Sequence, residues 1–254
     1  NIKFYYVDIP NFYKKIFKGF MYSGRLNVWN RRVIPLAKKI CADQKIDVIH
    51  QITPIEFRAI GDYGKIANIK FVCGPLGGGE SLPNGLKDYA KGHEIIEVVR
   101  SGINRWYRFK LRITGKLNRC DYIMFANKET RDFLGLDENF PLVTEIAADE
   151  ISIEKRTISN DINDERVFLF AGRMVYRKGL ELLFDAIMEI PDEWKYIVKI
   201  VGDGPDFLHL KHRCESNSLL SAHVQFMGAV QYSEMQREYE LSDVLIMPSI
   251  RETT

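Results

Sequence analysis

Residues Val167 to Gly179 read Val-Phe-Leu-Phe-Ala-Gly-Arg-Met-Val-Tyr-Arg-Lys-Gly. An apolar run stops at Ala171-Gly172, a short turn carries Arg173, Arg177 and Lys178, and an apolar-periodic segment begins at Leu180. This is the pattern of a buried strand, a basic turn and the start of a helix. In an open α/β sheet such a turn lies at the carboxyl end of a strand, where ligands bind. Helix N-termini favour anions, because unpaired N–H groups and the helix dipole both face them. Arg173 and Lys178 beside that terminus suit a diphosphate; a solvated basic turn is the plain alternative.

The next units extend the pattern. Trp194 to Pro205 is a strand running into Gly-Asp-Gly-Pro, and Val224 to Gly228 is a short strand ending in glycine. Ser233-Glu-Met-Gln236 predicts a capping box with a hydroxyl at the N-cap and Gln236 at N3. Asp243 to Glu252 is a strand ending in Pro-Ser-x-x-Glu. From Arg166 the order is therefore strand, helix, strand, helix, strand, helix, strand. That alternation implies a parallel sheet with right-handed crossovers.

The ordered set resembles the donor-binding domain of the retaining glycosyltransferases of family 4, which have the GT-B fold. The family pattern is Gly-Arg-x(n)-Lys-Gly, Val-Gly-Asp-Gly-Pro, Phe-x-Gly and Pro-Ser-x-x-Glu, and all four occur here in order. Each is weak alone; the succession is specific. The resemblance is sharp from residue 166 and loose over the first 150.

Working outward, 254 residues with 46% hydrophobic content suit one large or two smaller globular domains. Residues 1–150 hold 24 basic and 17 acidic residues, a net of +7, and the remainder is net −5. Opposite signs support two domains with different tasks. We place the domains at 1–150 and 151–254, with the boundary in the polar stretch Asp149 to Glu165. Cys41, Cys73, Cys120 and Cys214 are far apart, without a Cys-x-x-Cys pair. This fits reduced thiols in a cytoplasmic protein rather than a metal site. No apolar run reaches the ~18 residues of a membrane span.

Ile2 to Val7 reads as a strand. Asn11 to Ile40 mixes eight Lys and Arg with seven aromatic and Met residues and holds no acid. Three readings stand: an amphipathic crossover helix with a solvated basic face, a surface for anionic membrane and, least favoured, a nucleic-acid site. Ile46 to His50 is a strand whose last residue, His50, points toward a crevice as a ligand contact, a proton shuttle or a structural histidine. Ile69 to Cys73 is a strand running into Gly74-Pro-Leu-Gly77-Gly78-Gly79-Glu80. Consecutive glycines allow positive φ and close approach. Glu80 is that loop's one ionisable group, offered either to a substrate hydroxyl or to a surface role. Lys87 to Asn118 is helical in bias, and a second acid-free run spans Val98 to Cys120. Cys120 to Ala126, a helix over Asn127 to Leu134 and a strand over Leu142 to Ile146 complete this half.

The resemblance implies two Rossmann-like α/β domains with parallel sheets facing a cleft. Nucleotide-sugar would sit on the C-terminal domain and acceptor on the N-terminal one. Arg173 and Lys178 would hold the donor diphosphate, with Gly172 beside them, and Glu252 would bind hydroxyls of the transferred sugar. Gly228, Ala229 and Val230 would meet the nucleobase, and His50, Gly77, Gly78, Gly79 and Glu80 would lie on the acceptor side. It further implies transfer of a hexose with retention to a glycan or lipid-linked acceptor, without metal or cofactor. The location would be the cytoplasm, free or peripheral on the inner face of the membrane. The Gly-Pro-x-Gly-Gly-Gly-Glu loop resembles that of members building bacterial surface polysaccharides. The second Glu of the family's Glu-x7-Glu and its opening Gly-rich turn fall outside residues 1–254. The chain is therefore expected to be an internal piece, inactive alone. An epimerase or phosphorylase of the same fold, or a non-catalytic binding module, are the alternatives. A dinucleotide oxidoreductase is disfavoured because Gly202-Asp-Gly-Pro-Asp-Phe207 lacks the third glycine.

Overall fold

The protein is described by a computed structural model covering residues 2–18, 21–144, 164–191 and 193–252. It divides into two compact units. One is formed by Asn1–Ser81 with Ile95–Ala148, the other by Leu82–Glu94 with Asp149–Glu252. The expected boundary and residues 145 and 146 of the Leu142 to Ile146 strand lie outside the described residues. Leu142 itself makes a single parallel bridge to Phe125.

The first unit begins with α1 (Asn11–Ile16) and α2 (Tyr22–Asp43). Its sheet holds β1 (Val48–Gln51), β2 (Lys70–Leu76) and β3 (Tyr122–Phe125), in the order β1-β2-β3 and all parallel. Helix α3 (Glu94–Thr114) precedes β3 and α4 (Lys128–Leu134) follows it. Phe57, Phe71, Leu76 and Phe125 are almost fully buried and close the core. Burial of such side chains contributes about 1.5–3 kcal/mol each.

Two expectations change here. Ile2 to Val7 forms no strand. A strand needs a ladder partner for its N–H and C=O groups; instead Ile2, Phe4 and Tyr6 stay 83%, 74% and 90% exposed. The helical bias from Lys87 is interrupted. A 3-10 turn over Asn84–Ala90 precedes Gly92, whose φ of +83° is left-handed, and α3 starts only at Glu94.

The second unit alternates strand and helix. Its elements are β4 (Arg166–Ala171), α5 (Leu180–Met188), β5 (Tyr196–Val201), α6 (Phe207–Glu215), α7 (Ser218–His223), β6 (Val224–Gly228), α8 (Tyr232–Glu240) and β7 (Val244–Leu245). The strands run parallel in the order β6-β5-β4-β7. The core joins Phe170, Met174, Leu180, Phe184, Val198 and Leu220. Strand β7 is only two residues long; the Asp243 carboxylate substitutes for a ladder group by accepting the Val167 amide at 2.8 Å. Helix α8 starts two residues earlier than predicted. Gln231, not Ser233, is its N-cap, in a reciprocal box with Glu234. The i,i+3 logic holds, but Gln231 is the residue with extended backbone at that place.

Candidate functional site

In a parallel sheet all strands deliver their carboxyl ends to one edge. In the second unit that edge gathers the turns after β4, β5, β6 and β7. They are interlocked through backbone. The Met174 amide donates to the Asp203 carbonyl at 2.9 Å, and the Gly202 amide donates to the Gly228 carbonyl at 2.8 Å. Glycine is required where they touch. A Cβ on Gly202, whose φ is +133°, would lie 2.0 Å from the Gly172 carbonyl oxygen, and one on Gly204 would lie 2.2 Å from that of Met174. The Gly-Asp-Gly turn is thus a packing device, a role its sequence shows only as glycine spacing.

After β4, Gly172 and Arg173 lead to the buried Met174 and then to a 3-10 turn over Tyr176–Lys178. Gly179 caps α5 with a φ of +71°, and a Cβ there would be 2.0 Å from the Pro248 carbonyl oxygen. The segment after β7 is therefore held directly against the basic turn. The Ile250 amide donates to the Arg177 carbonyl at 2.9 Å.

That docking brings Glu252 to the cations. Its carboxylate pairs with Lys178, lies 3.2 Å from the Arg177 Nη1, and accepts the Ser249 hydroxyl at 3.1 Å. Burial opposes ionisation of Glu252, yet Lys178, Ser249 and Arg177 together outweigh it and lower its pKa. Arg173, in the same turn, is exposed and has no side-chain partner among the described residues. The two cations expected at the diphosphate differ in setting: Lys178 pairs with Glu252, which Arg177 also approaches. Arg173 stays open to solvent. Tyr176 is stacked on His93, with ring centroids 4.1 Å apart and planes 10° apart. His93 lies 83 residues upstream of Tyr176, and no local signal links it to this turn. Gly228 has a φ of +71°, with open space where a Cβ would go; Ala229 is exposed and Val230 half-buried.

The first unit treats its predicted residues differently. Gly77, Gly78, Gly79 and Glu80 are all buried. Glu80 Oε1 accepts from the Gly78 amide at 2.7 Å, Asn127 at 2.9 Å and Thr130 at 3.2 Å, and Arg100 lies 3.2 Å from Oε2. Arg100 also donates to the carbonyls of Glu80 and Gly78, and Asn104 donates to that of Gly78. Glu80, which the sequence offers to a substrate hydroxyl or a surface role, is an internal brace of the loop. Both oxygens are engaged by protein donors in a site that is 4% exposed. β1 runs one residue past His50, to Gln51, and the His50 Nε2 donates to the Gly74 carbonyl at 2.9 Å. Among the described residues no group of His, Cys, Asp or Glu could hold a metal, and no helix is long and apolar enough to cross a membrane.

Residues 152–254 match the family model for glycosyl transferases group 1. An uncharacterized glycosyltransferase of Methanocaldococcus jannaschii, MJ1607, is 31% identical over 90 residues, covering 35% of this chain and 23% of that protein. A second, MJ1069 of the same organism, is 25% identical over 171 residues, covering 63% and 43%. This chain thus spans less than half the length of either relative. Among solved structures, a lipopolysaccharide outer core galactosyltransferase, WaaB, aligns with a TM-score of 0.56 and 15% identity, covering 87% of this chain and 55% of that one. Anabaena Alr3699/HepE in complex with UDP aligns with a TM-score of 0.55 and 15% identity, covering 91% and 59%. The α/β fold with parallel sheets matches that of GT-B glycosyltransferases.

Proposed function

We propose that the protein transfers a hexose from a nucleotide-diphosphate sugar to a glycan or lipid-linked acceptor in the cytoplasm, with retention and without metal or cofactor. The reading is carried by one observation. The strand ends of the second unit place Arg177, Lys178 and Glu252 in mutual contact, one turn from the exposed Arg173, inside the region that matches the glycosyl transferase group 1 model. Cleavage of the sugar–diphosphate bond puts negative charge on the leaving oxygens. Fixed cations stabilise that developing charge without reorganising during the step. A lysine ammonium has three N–H donors, so Lys178 can keep Glu252 and still reach a phosphate. Glu252, ionised and anchored, accepts hydroxyls of the transferred sugar. Gly228, with open space beside its Cα, and the following Ala229 and Val230 would meet the base; the similar HepE structure contains UDP. No side chain is named as nucleophile. The first unit, with its braced glycine loop, takes the acceptor.

The test is calorimetric titration of the full-length protein with UDP, GDP, ADP and NAD, followed by donor turnover. Tight binding of UDP or GDP that is weakened in Lys178→Ala supports the reading. Binding of NAD alone, or of no nucleotide, removes it.

A further inference from the structure

Helix α3 serves two places. Arg100 and Asn104 reach inward to the glycine loop, while Trp106, Phe109 and Ile113 face outward and are 54%, 62% and 68% exposed. The last turns of the helix border a cavity of about 160 Å³ that α2 and the segment Gly61-Asp62 also line. A buried water needs roughly 10–15 Å³ of such room, so the cavity takes several waters or one tetrahedral oxyanion. It lies away from the glycine loop. Thr114, on its wall, is about 15 Å along α3 from Asn104. Lys116, also on the wall, adjoins the 3-10 turn Leu117–Arg119 that leads into the start of β3. This is the amino edge of the sheet, opposite the carboxyl edge where α/β sheets take their substrates.

The neutral groups of the wall are already engaged. The Asn30 amide donates to the Ala59 carbonyl at 2.6 Å, its oxygen accepts the Tyr63 hydroxyl at 2.9 Å, and the Gly61 amide donates to Gln51 at 2.8 Å. The cations are not. Lys116, its side chain 16% exposed, donates to the Ile60 carbonyl at 2.8 Å and lies 3.6 Å from Asp62. Asp62 is shared with Arg119 at 2.8 Å and Lys65 at 3.8 Å. Arg31 and Lys110 have no acid partner among the described residues. The Lys110 ammonium rests 4.8 Å from the Trp106 ring centroid. Burial lowers the Lys116 pKa, and the charges of Lys110 and Arg119 add to the lowering against Asp62. Positive charge is thus held here at a cost that a bound anion would offset.

The lining residues set the size of that charge. Arg31, Lys110 and Lys116 against Asp62, three cations and one acid, leave two positive charges. A phosphate monoester carries about −1.5 to −2 at pH 7 and offers three acceptor oxygens; a carboxylate would neutralise only half of the excess. We propose that this cavity binds a phosphate group, as the free ion or as a small monoester, held by Arg31, Lys110 and the remaining N–H donors of Lys116. The site belongs to the first unit and uses no residue of the donor reading, so it stands independently of it.

The test is a fluorescence titration of the full-length protein with inorganic phosphate and with glycerol 3-phosphate, against sodium chloride at matched ionic strength. Trp106, beneath the Lys110 ammonium, is the local reporter. The comparison includes Trp106→Phe, Arg31→Gln/Lys110→Gln and Arg173→Ala, with folding checked by circular dichroism. The expected result is a saturable emission change with phosphate that chloride does not reproduce and that Trp106→Phe abolishes. It should require at least about tenfold more phosphate in the Arg31→Gln/Lys110→Gln pair, each contact being a charge-assisted hydrogen bond, and should persist in Arg173→Ala. A matching response to glycerol 3-phosphate assigns the site to monoesters, and a response to phosphate alone assigns it to the free ion. No saturable change, an equal response to chloride, or a response indifferent to the Arg31→Gln/Lys110→Gln pair overturns the proposal. Loss of the response in Arg173→Ala also overturns it, because the anion is then bound at the donor turn.

Discussion

Lys178 and Arg173 sit in one turn but in different surroundings, and this separates their substitutions. Lys178 is paired with a half-buried carboxylate, whereas Arg173 is exposed. Lys178→Ala should lower kcat/KM about tenfold to a hundredfold, the weight of one charge-assisted hydrogen bond of ~1.5–3 kcal/mol. It should also lower stability, because Glu252 keeps its burial but loses its main counter-charge. Arg173→Ala should weaken nucleotide binding with no change in melting temperature, a contrast that calorimetry and thermal unfolding on the same preparations would show. At Gly202 the constraint is steric. With a φ of +133° and a carbonyl oxygen 2.0 Å from any Cβ, Gly202→Ala should cost on the order of 2–4 kcal/mol, read from urea unfolding.

At the scale of elements, the glycine loop of the first unit is held by a buried ion pair rather than by its glycines alone. Removing one partner leaves the other charge buried and unpaired. Glu80→Ala should therefore destabilise by about 3–5 kcal/mol, while Glu80→Gln should cost less and leave nucleotide affinity unchanged. An affinity loss in Glu80→Gln would return Glu80 to the ligand. Helix α8 offers a smaller test of local logic. Gln231→Ala should cost ~0.5–1 kcal/mol and Ser233→Ala close to nothing, measured by thermal unfolding.

Across the whole molecule, acid stability follows from carboxylates in both units. Burial opposes ionisation of Asp62, but Lys116, Arg119 and Lys65 outweigh it and lower its pKa; Glu252 is lowered by Lys178, Ser249 and Arg177 against its own burial. A carboxylate whose folded pKa is depressed adds stability that is complete above its unfolded pKa, about 4, and is lost as pH falls through the folded value. The melting temperature should accordingly hold from neutral pH down to about 5 and decline below about 4. Asp62→Asn and Glu252→Gln should lie lower on the plateau and fall less steeply. Calorimetric scans at constant ionic strength would check this.

What the chain determines by itself is the order and type of its elements from Arg166 onward. Apolar runs, glycine turns and cationic positions are local, and the parallel sheet follows from their alternation. The patch of Arg177, Lys178 and Glu252 was half legible: its residues stood out, but the pairing needs Gly179 to admit Pro248, a contact across 69 positions. The inward ion pair of Glu80 with Arg100 and the outward apolar face of α3 were not legible. Periodicity reports that a helix has two faces, but it cannot say which one meets the core. That choice was made in space, where a buried glycine loop required polar partners and turned the helix's charged side toward itself.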